Sequence, residues 1–211
     1  PAITKAGLDI GETVTPATEV VVVRFPKVVP TTALRLRISE TYTDPAAEVR
    51  TYGIAAGYAR PPEGYGGPRS IVDFLTTLKK QGEHGQAFAY KTCNTEVLSW
   101  IVQRVTDTPM AQLLSERIWQ KLGVEEDAHI IVDRIGTPAC GGGMNMALRD
   151  LARFGEMLRL GGVFNGNEIV PEEVVDDIAN GGDRDHFTKA GYTTVPGWSY
   201  RNQFWVSHDK F

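Results

Sequence analysis

Between residues 70 and 182 the sequence writes five helical periods in succession, most of them with their own start or stop signals, and that block limits what the chain can become. In "SIVDFLTTLKKQG", Ser70 stands as N-cap, Asp73 occupies the capping-box position, and Gly82 falls just past the end. In "NTEVLSWIVQRVT", Val97, Leu98, Ile101, Val102 and Val105 fall on one apolar stripe. "TPMAQLLSERIWQKLG" offers Thr108 as cap, Pro109 in the first turn and Gly123 as terminator. The glycines of "GGGMNMALRDLARFGEMLRLGG" lead into a helix on which Leu148, Leu151, Gly155 and Leu158 share a face, and "PEEVVDDIANGG" starts a shorter one at Pro171. Residues 95–122 are thus expected to form two consecutive helices joined near 106–108.

Strand signals flank this block. "TEVVVVRF", residues 18–25, is a β-branched run between Pro16 and Pro26 and predicts a strand buried on both faces, central in a sheet. "ALRLRIS", residues 33–39, alternates apolar and basic side chains. "AHIIVD" predicts a further strand, and the aromatic alternation of "GWSYRNQFWVSH" returns the tail to a sheet. Residues 40–69, rich in Tyr, Gly, Pro and Ala, are expected to form a long loop. The class implied is α+β, a helical region on an antiparallel sheet. Residues 1–32 form a segment of open placement, and residues 33–211 form the main domain, chiefly its helical part.

Composition excludes several functions. At 211 residues and 42% hydrophobic content the chain can bury a substantial core, and a net charge of −4 gives no reason to expect nucleic acid as a partner. No apolar run approaches bilayer length. Cys93 and Cys140 make no disulfide framework, and the histidines at 84, 129, 186 and 208 lack metal-ligand spacing. Glu125, Glu126 and Asp127 are expected in a wet loop, and Asp183, Arg184 and Asp185 in a solvated turn. Neither metal nor cofactor is therefore expected. No charged-then-apolar leader opens the chain, from which a cytoplasmic location is expected. Oligomeric state is not legible.

One short stretch, "AFAYKTCNTEVLSW", carries the chemical question. Tyr90 precedes a helix and Asn94 follows four residues later. As structure, they are a packed ring and a cap for a helix beginning at Thr95. As chemistry, Tyr90 is a proton-transfer residue at the mouth of a cleft.

Three segments, "GEHGQAFAYKTCNTEVLSWIVQRVT", "LLSERIWQKLGVEEDA" and "GGGMNMALRDLARFGEMLRLGG", together resemble the β-lactamase-related serine hydrolases. The likeness is to the branch of 6-aminohexanoate-dimer hydrolase and its esterase relatives. "SETYTDPAAEVR" and "GWSYRNQFWV" are similar to the same branch, so the resemblance runs from about residue 33 to 208. It implies a β-lactamase/penicillin-binding-protein-like fold and an S-x-x-K serine nucleophile. It further implies a tyrosine that acts with that lysine as base, and a late H-G or K-T-G strand. On this resemblance Tyr90 matches the catalytic tyrosine and Asn94 its companion; Trp198 and Tyr200 either line the acyl pocket or are core aromatics with no such role. Tyr42, Tyr52, Tyr58 and Tyr65 would belong to a loop bordering the cleft.

Departures are clear. No S-x-x-K stands ahead of the helical block, and the one literal match, "SHDK" at 207–210, falls at the other end of the sequence; the nearest shape ahead of the block is "AITK", in which Ala2 replaces the serine and Lys5 keeps the lysine. The late strand is missing too, and "TEVVVVRFPKVVP" is similar to the family's C-terminal core strand placed at the front. The expectation is an incomplete member of the fold. Its function is either hydrolysis of small amides or esters through an acyl-enzyme, or binding of a ligand or partner by an inactive relative.

Overall fold

The computed structural model describes residues 45–80, 82–83 and 85–209. Lys5, the 18–25 strand, the 33–39 alternation, Tyr42 and the boundary at residues 32/33 lie outside the described residues. The chain divides into two units, one holding the described residues up to 83 together with Asp133–Thr137, the other Gly85–Val132 with Pro138 onward.

In the first unit, α1 (Pro45–Ala55) packs on α2 (Ile71–Thr77). A helix at α1 corrects the expectation of a continuous loop. Pro45 is tolerated because the first helical N–H has no intrahelical acceptor. Tyr52 sits edge-on to Phe74 at 5.6 Å, and Ile54, Ala55, Ala56, Ile71 and Phe74 are buried. Residues 60–69 do remain irregular. Ser70 caps α2 as its sequence implies, accepting the Asp73 N–H at 3.1 Å. The helix stops at Thr77 rather than near Gly82. Thr76 and Thr77 turn their hydroxyls back onto the carbonyls of Asp73 and Phe74, each at 2.7 Å, and such residues hold a helix poorly. The α2 N-terminus receives a second acceptor from the inserted turn. The buried Asp133 carboxylate takes the N–H of Ile71 at 2.9 Å, and those of Ile135 and Thr137 at 3.0 and 2.8 Å.

The second unit begins with α3 (Thr92–Thr106) and α4 (Met110–Arg117), which meet as the expected helix pair. Asp107, at φ 51°, ends α3 in the left-handed region. The α4 cap differs from expectation: Gln103 Oε1 accepts the Met110 N–H at 3.0 Å, and Thr108 bonds back to Thr106. After Ile118 the chain tightens into a 3-10 turn, Trp119–Leu122, ended by Gly123 at φ 61°. The most buried line of α3 is Cys93, Glu96 and Ser99, while the apolar stripe around it is half-buried or, at Val105, exposed. Glu96 explains the inversion. Its carboxylate accepts the N–H groups of Cys140 and Gly141 at 3.1 and 2.9 Å, and Ser99 Oγ lies 2.9 Å from Cys140 Sγ.

Short antiparallel pairs connect the remaining helices. β1 (His129–Ile130) pairs with β2 (Met144–Asn145), His129 opposite Asn145. After α5 (Leu148–Arg159) comes a hairpin of β3 (Val163–Phe164) and β4 (Asn167–Glu168). α6 (Glu172–Asn180) follows Pro171, and α7 (Arg184–Lys189) follows Asp183. The chain then forms a hairpin of β5 (Ser199–Arg201) and β6 (Phe204–Val206).

Trp119, Leu122 and Met157 centre the core of this unit, with Phe154, Leu158, Phe164 and Ile169 around them. Of the face shared by Leu148, Leu151, Gly155 and Leu158, only Leu158 packs against this core; Leu148 is 80% exposed and Leu151 47%. Instead α5 buries Asp150 and Met157, because Asp150 is the acceptor for a loop. It takes the N–H groups of Glu125 and Glu126 at 3.0 and 3.1 Å and Arg153 at 2.7 Å. Asp183 is likewise more than a solvated residue. It caps α7, accepting the His186 N–H at 2.9 Å. No helix among the described residues is long and apolar enough to cross a membrane.

Candidate active site

Residues 88–91 carry no regular secondary structure and lead into the start of α3. The Phe88 N–H donates to His186 O at 2.9 Å, and the Phe88 ring stacks on the buried Phe187 at 5.2 Å. Phe88 and Tyr90 both set their rings against Tyr200 and Trp205. The Tyr90 ring meets Tyr200 edge-on at 6.1 Å and lies 5.8 Å from Trp205 at 31°. It is 47% exposed, and its hydroxyl makes no hydrogen bond to any described residue.

Lys91 is the N-cap of α3 and provides no side-chain cap; its carbonyl accepts the Asn94 N–H at 3.0 Å. Asn94 therefore lies within the first turn, not at a cap before Thr95. The helix starts earlier than its apolar pattern because Thr92 and Cys93 are already wound into it. In this position Asn94 lines a shallow concavity with Tyr90, Thr95, Tyr200 and Gln203. The positive end of a long helix opens beside Tyr90, a setting that favours negative charge.

The opposite wall is the β5–β6 hairpin. Its loop is two residues, Asn202 and Gln203, both left-handed at φ 47° and 72°. This backbone twist suits a tight hairpin. Tyr200 is half-buried against Phe88 at 4.8 Å. Burial pushes its phenol up from the ordinary tyrosine range, and the neighbouring Tyr90 adds to the shift. Tyr200 is thus held as a neutral donor, and it donates to Gln203 Oε1 at 3.1 Å. Thr95 Oγ1 donates to the same oxygen at 2.8 Å.

Of the residues singled out in the sequence, Tyr90, Asn94 and Tyr200 come together. Trp198 is half-buried just before β5 and makes no ring contact with the cluster. Lys5 lies outside the described residues. Trp205, Thr95 and Gln203 went unnoticed. The two-residue "NQ" between alternating aromatics was the available signal, since Asn at the first position of such a loop marks a hairpin.

A family model described as beta-lactamase matches residues 42–209. The chain is similar to a 6-aminohexanoate-dimer hydrolase of Paenarthrobacter ureafaciens, with 40% identity over 170 residues, covering 80% of this chain and 43% of that protein. Among solved structures it is similar to a Bacillus anthracis protein provisionally assigned the same activity. The TM-score is 0.69 and the identity 30%, over 82% of this chain and 44% of the other. The chain thus spans less than half the length of either relative.

Proposed function

The chain belongs to the beta-lactamase family, and from that premise we propose that the Tyr90 concavity is the proton-transfer side of an acyl-transfer site for small amides or esters. The reaction proposed is hydrolysis through an acyl-enzyme. A serine hydroxyl attacking a carbonyl must shed its proton, because serine is a poor nucleophile at neutral pH. Tyr90 Oη accepts that proton and returns it to the departing amine or alcohol. A phenolate needs a cation beside it to exist near neutrality. Lys5 is the lysine that the family resemblance assigns to this task. Asn94 and Tyr200 border the ligand.

The observation that carries the reading is the Tyr90 hydroxyl, which sits on a half-exposed ring held by aromatic neighbours and is free of hydrogen bonds to the described residues. Tyr200, whose phenol burial pushes up, stands beside it as a hydrogen-bond donor. A second reading, ligand binding without turnover, is favoured by alanine standing in the serine's place in "AITK", the nearest S-x-x-K shape ahead of the helical block.

A fluorophosphonate probe and p-nitrophenyl acetate separate the two. The chain as it stands is expected to remain unlabelled and to turn over the ester poorly or not at all. Ala2→Ser is expected to gain labelling, and adding Tyr90→Phe to lower that reactivity by about a hundredfold or more. Ester turnover by the unaltered chain that Tyr90→Phe leaves untouched would overturn the role given to Tyr90.

A further inference from the structure

We propose that Gln203 is a ligand-binding residue of the Tyr90 concavity, its carboxamide N–H groups donating to the carbonyl oxygen of a small neutral amide or ester; the inference rests on the function proposed above. Gln203 occupies the second position of the hairpin loop at φ 72°, directly after Asn202 at φ 47°. Glycine is the residue that takes this position without steric cost. A glutamine there keeps a side chain where the backbone would favour none.

That side chain is held by its oxygen. Oε1 accepts from Thr95 on α3 at 2.8 Å and from Tyr200 on β5 at 3.1 Å, so both of its lone pairs are engaged. Tyr200 is the phenol that burial keeps protonated, which makes it a donor and requires an acceptor facing it. The orientation of the amide follows: Nε2 points away from the two hydroxyls, and it makes no hydrogen bond to any described residue. Gln203 lines the same concavity as Tyr90 and Asn94. The site therefore contains a neutral pair of donors, fixed before any ligand arrives, on a residue that lines the same concavity as Tyr90. Binding to a donor already immobilised loses little further side-chain freedom.

The loop beneath is clamped as well. Asp177 on α6 takes Arg201 Nε and Nη2 at 2.9 and 2.6 Å and Asn202 Nδ2 at 2.7 Å. Asp177 thereby acts as a positioning residue, fixing the turn that presents Gln203. An uncharged carboxamide donor matches an uncharged carbonyl oxygen, which is the group that an amide or ester brings.

The test is a titration of the full isotopically labelled chain with N-butylacetamide, followed by NMR. The side-chain N–H signals of Gln203 are expected to move together with those of Asn94 and with the ring signals of Tyr90. Gln203→Glu keeps an acceptor for Thr95 and Tyr200 but removes both donors. It is expected to weaken binding about tenfold, with the melting temperature little changed. Should Tyr90 and Asn94 respond while the Gln203 amide stays still and Gln203→Glu binds equally well, the role of Gln203 is overturned and the concavity stands. If Tyr90 and Asn94 do not respond either, the proposed function falls and Gln203 falls with it.

Discussion

Glu96 shows how much a single carboxylate can decide. It is 2% exposed on α3, and each of its oxygens accepts a different backbone N–H, from Cys140 and from Gly141. Glu96→Gln, nearly the same shape, would turn an N–H donor toward one of those two donors. We expect it to cost about 2–3 kcal/mol, the scale of leaving a buried polar group unsatisfied, measured by urea denaturation. A loss below 0.5 kcal/mol would show that the 140–141 turn does not depend on it. Local chemistry separates the residues that were legible from those that were not. Ser70 was legible because an N-cap is satisfied three residues away. Glu96 was not, because its partners lie 44 and 45 residues further on. Tyr90 was legible through the family resemblance, whereas Gln203 is understood only once the hairpin brings it to Thr95, 108 residues away.

Among the elements, the return of the tail to strand pairing was foreseen from its aromatic alternation, though not its hairpin turn, and the α3–α4 pair from their periods. Failures came where polar groups outrank apolar ones. Leu148 and Leu151 of α5 face outward because Asp150 must reach the 125–126 amides. α7 escaped notice because six residues carry too little periodicity to register. The hairpin also supports a prediction at this scale. Asp177→Ala removes a bidentate partner of Arg201 and an acceptor for Asn202, both near the surface. The expected loss is about 1 kcal/mol, with broadened amide signals confined to the 199–206 segment. Unchanged signals there would mean that the turn holds itself.

Among the described residues, one carboxylate that makes stability acid-sensitive is Asp150 on α5. The backbone N–H of Glu125 acts first, and those of Glu126 and the Arg153 guanidinium after it, to hold the Asp150 carboxyl below the ordinary range. A carboxyl depressed in the folded state binds protons more readily once unfolded, so folding gains from its ionisation. That gain is complete above about pH 4 and drains away as the pH falls through the depressed folded value. Asp150→Asn should lower the melting temperature at neutral pH and flatten its decline in acid. A parallel decline in both proteins would locate the acid sensitivity elsewhere.

The insertion of Asp133–Thr137 into the first unit has a consequence in time. Its acceptor for Ile71 lies 62 residues downstream. A ribosome adding about 5–20 residues per second needs roughly 3–12 s to make that stretch. During that interval α1 and α2 emerge with the Ile71 amide lacking its Asp133 acceptor and the Phe74 and Ile54 surface incompletely secured. The first unit is therefore finished late, after much of the second has been made, although its residues come first. Nascent chains halted before residue 133 should be cut by a protease between residues 45 and 83, and chains halted well past residue 137 should resist. Equal resistance at both lengths would show that the α1–α2 pair closes without its distant turn.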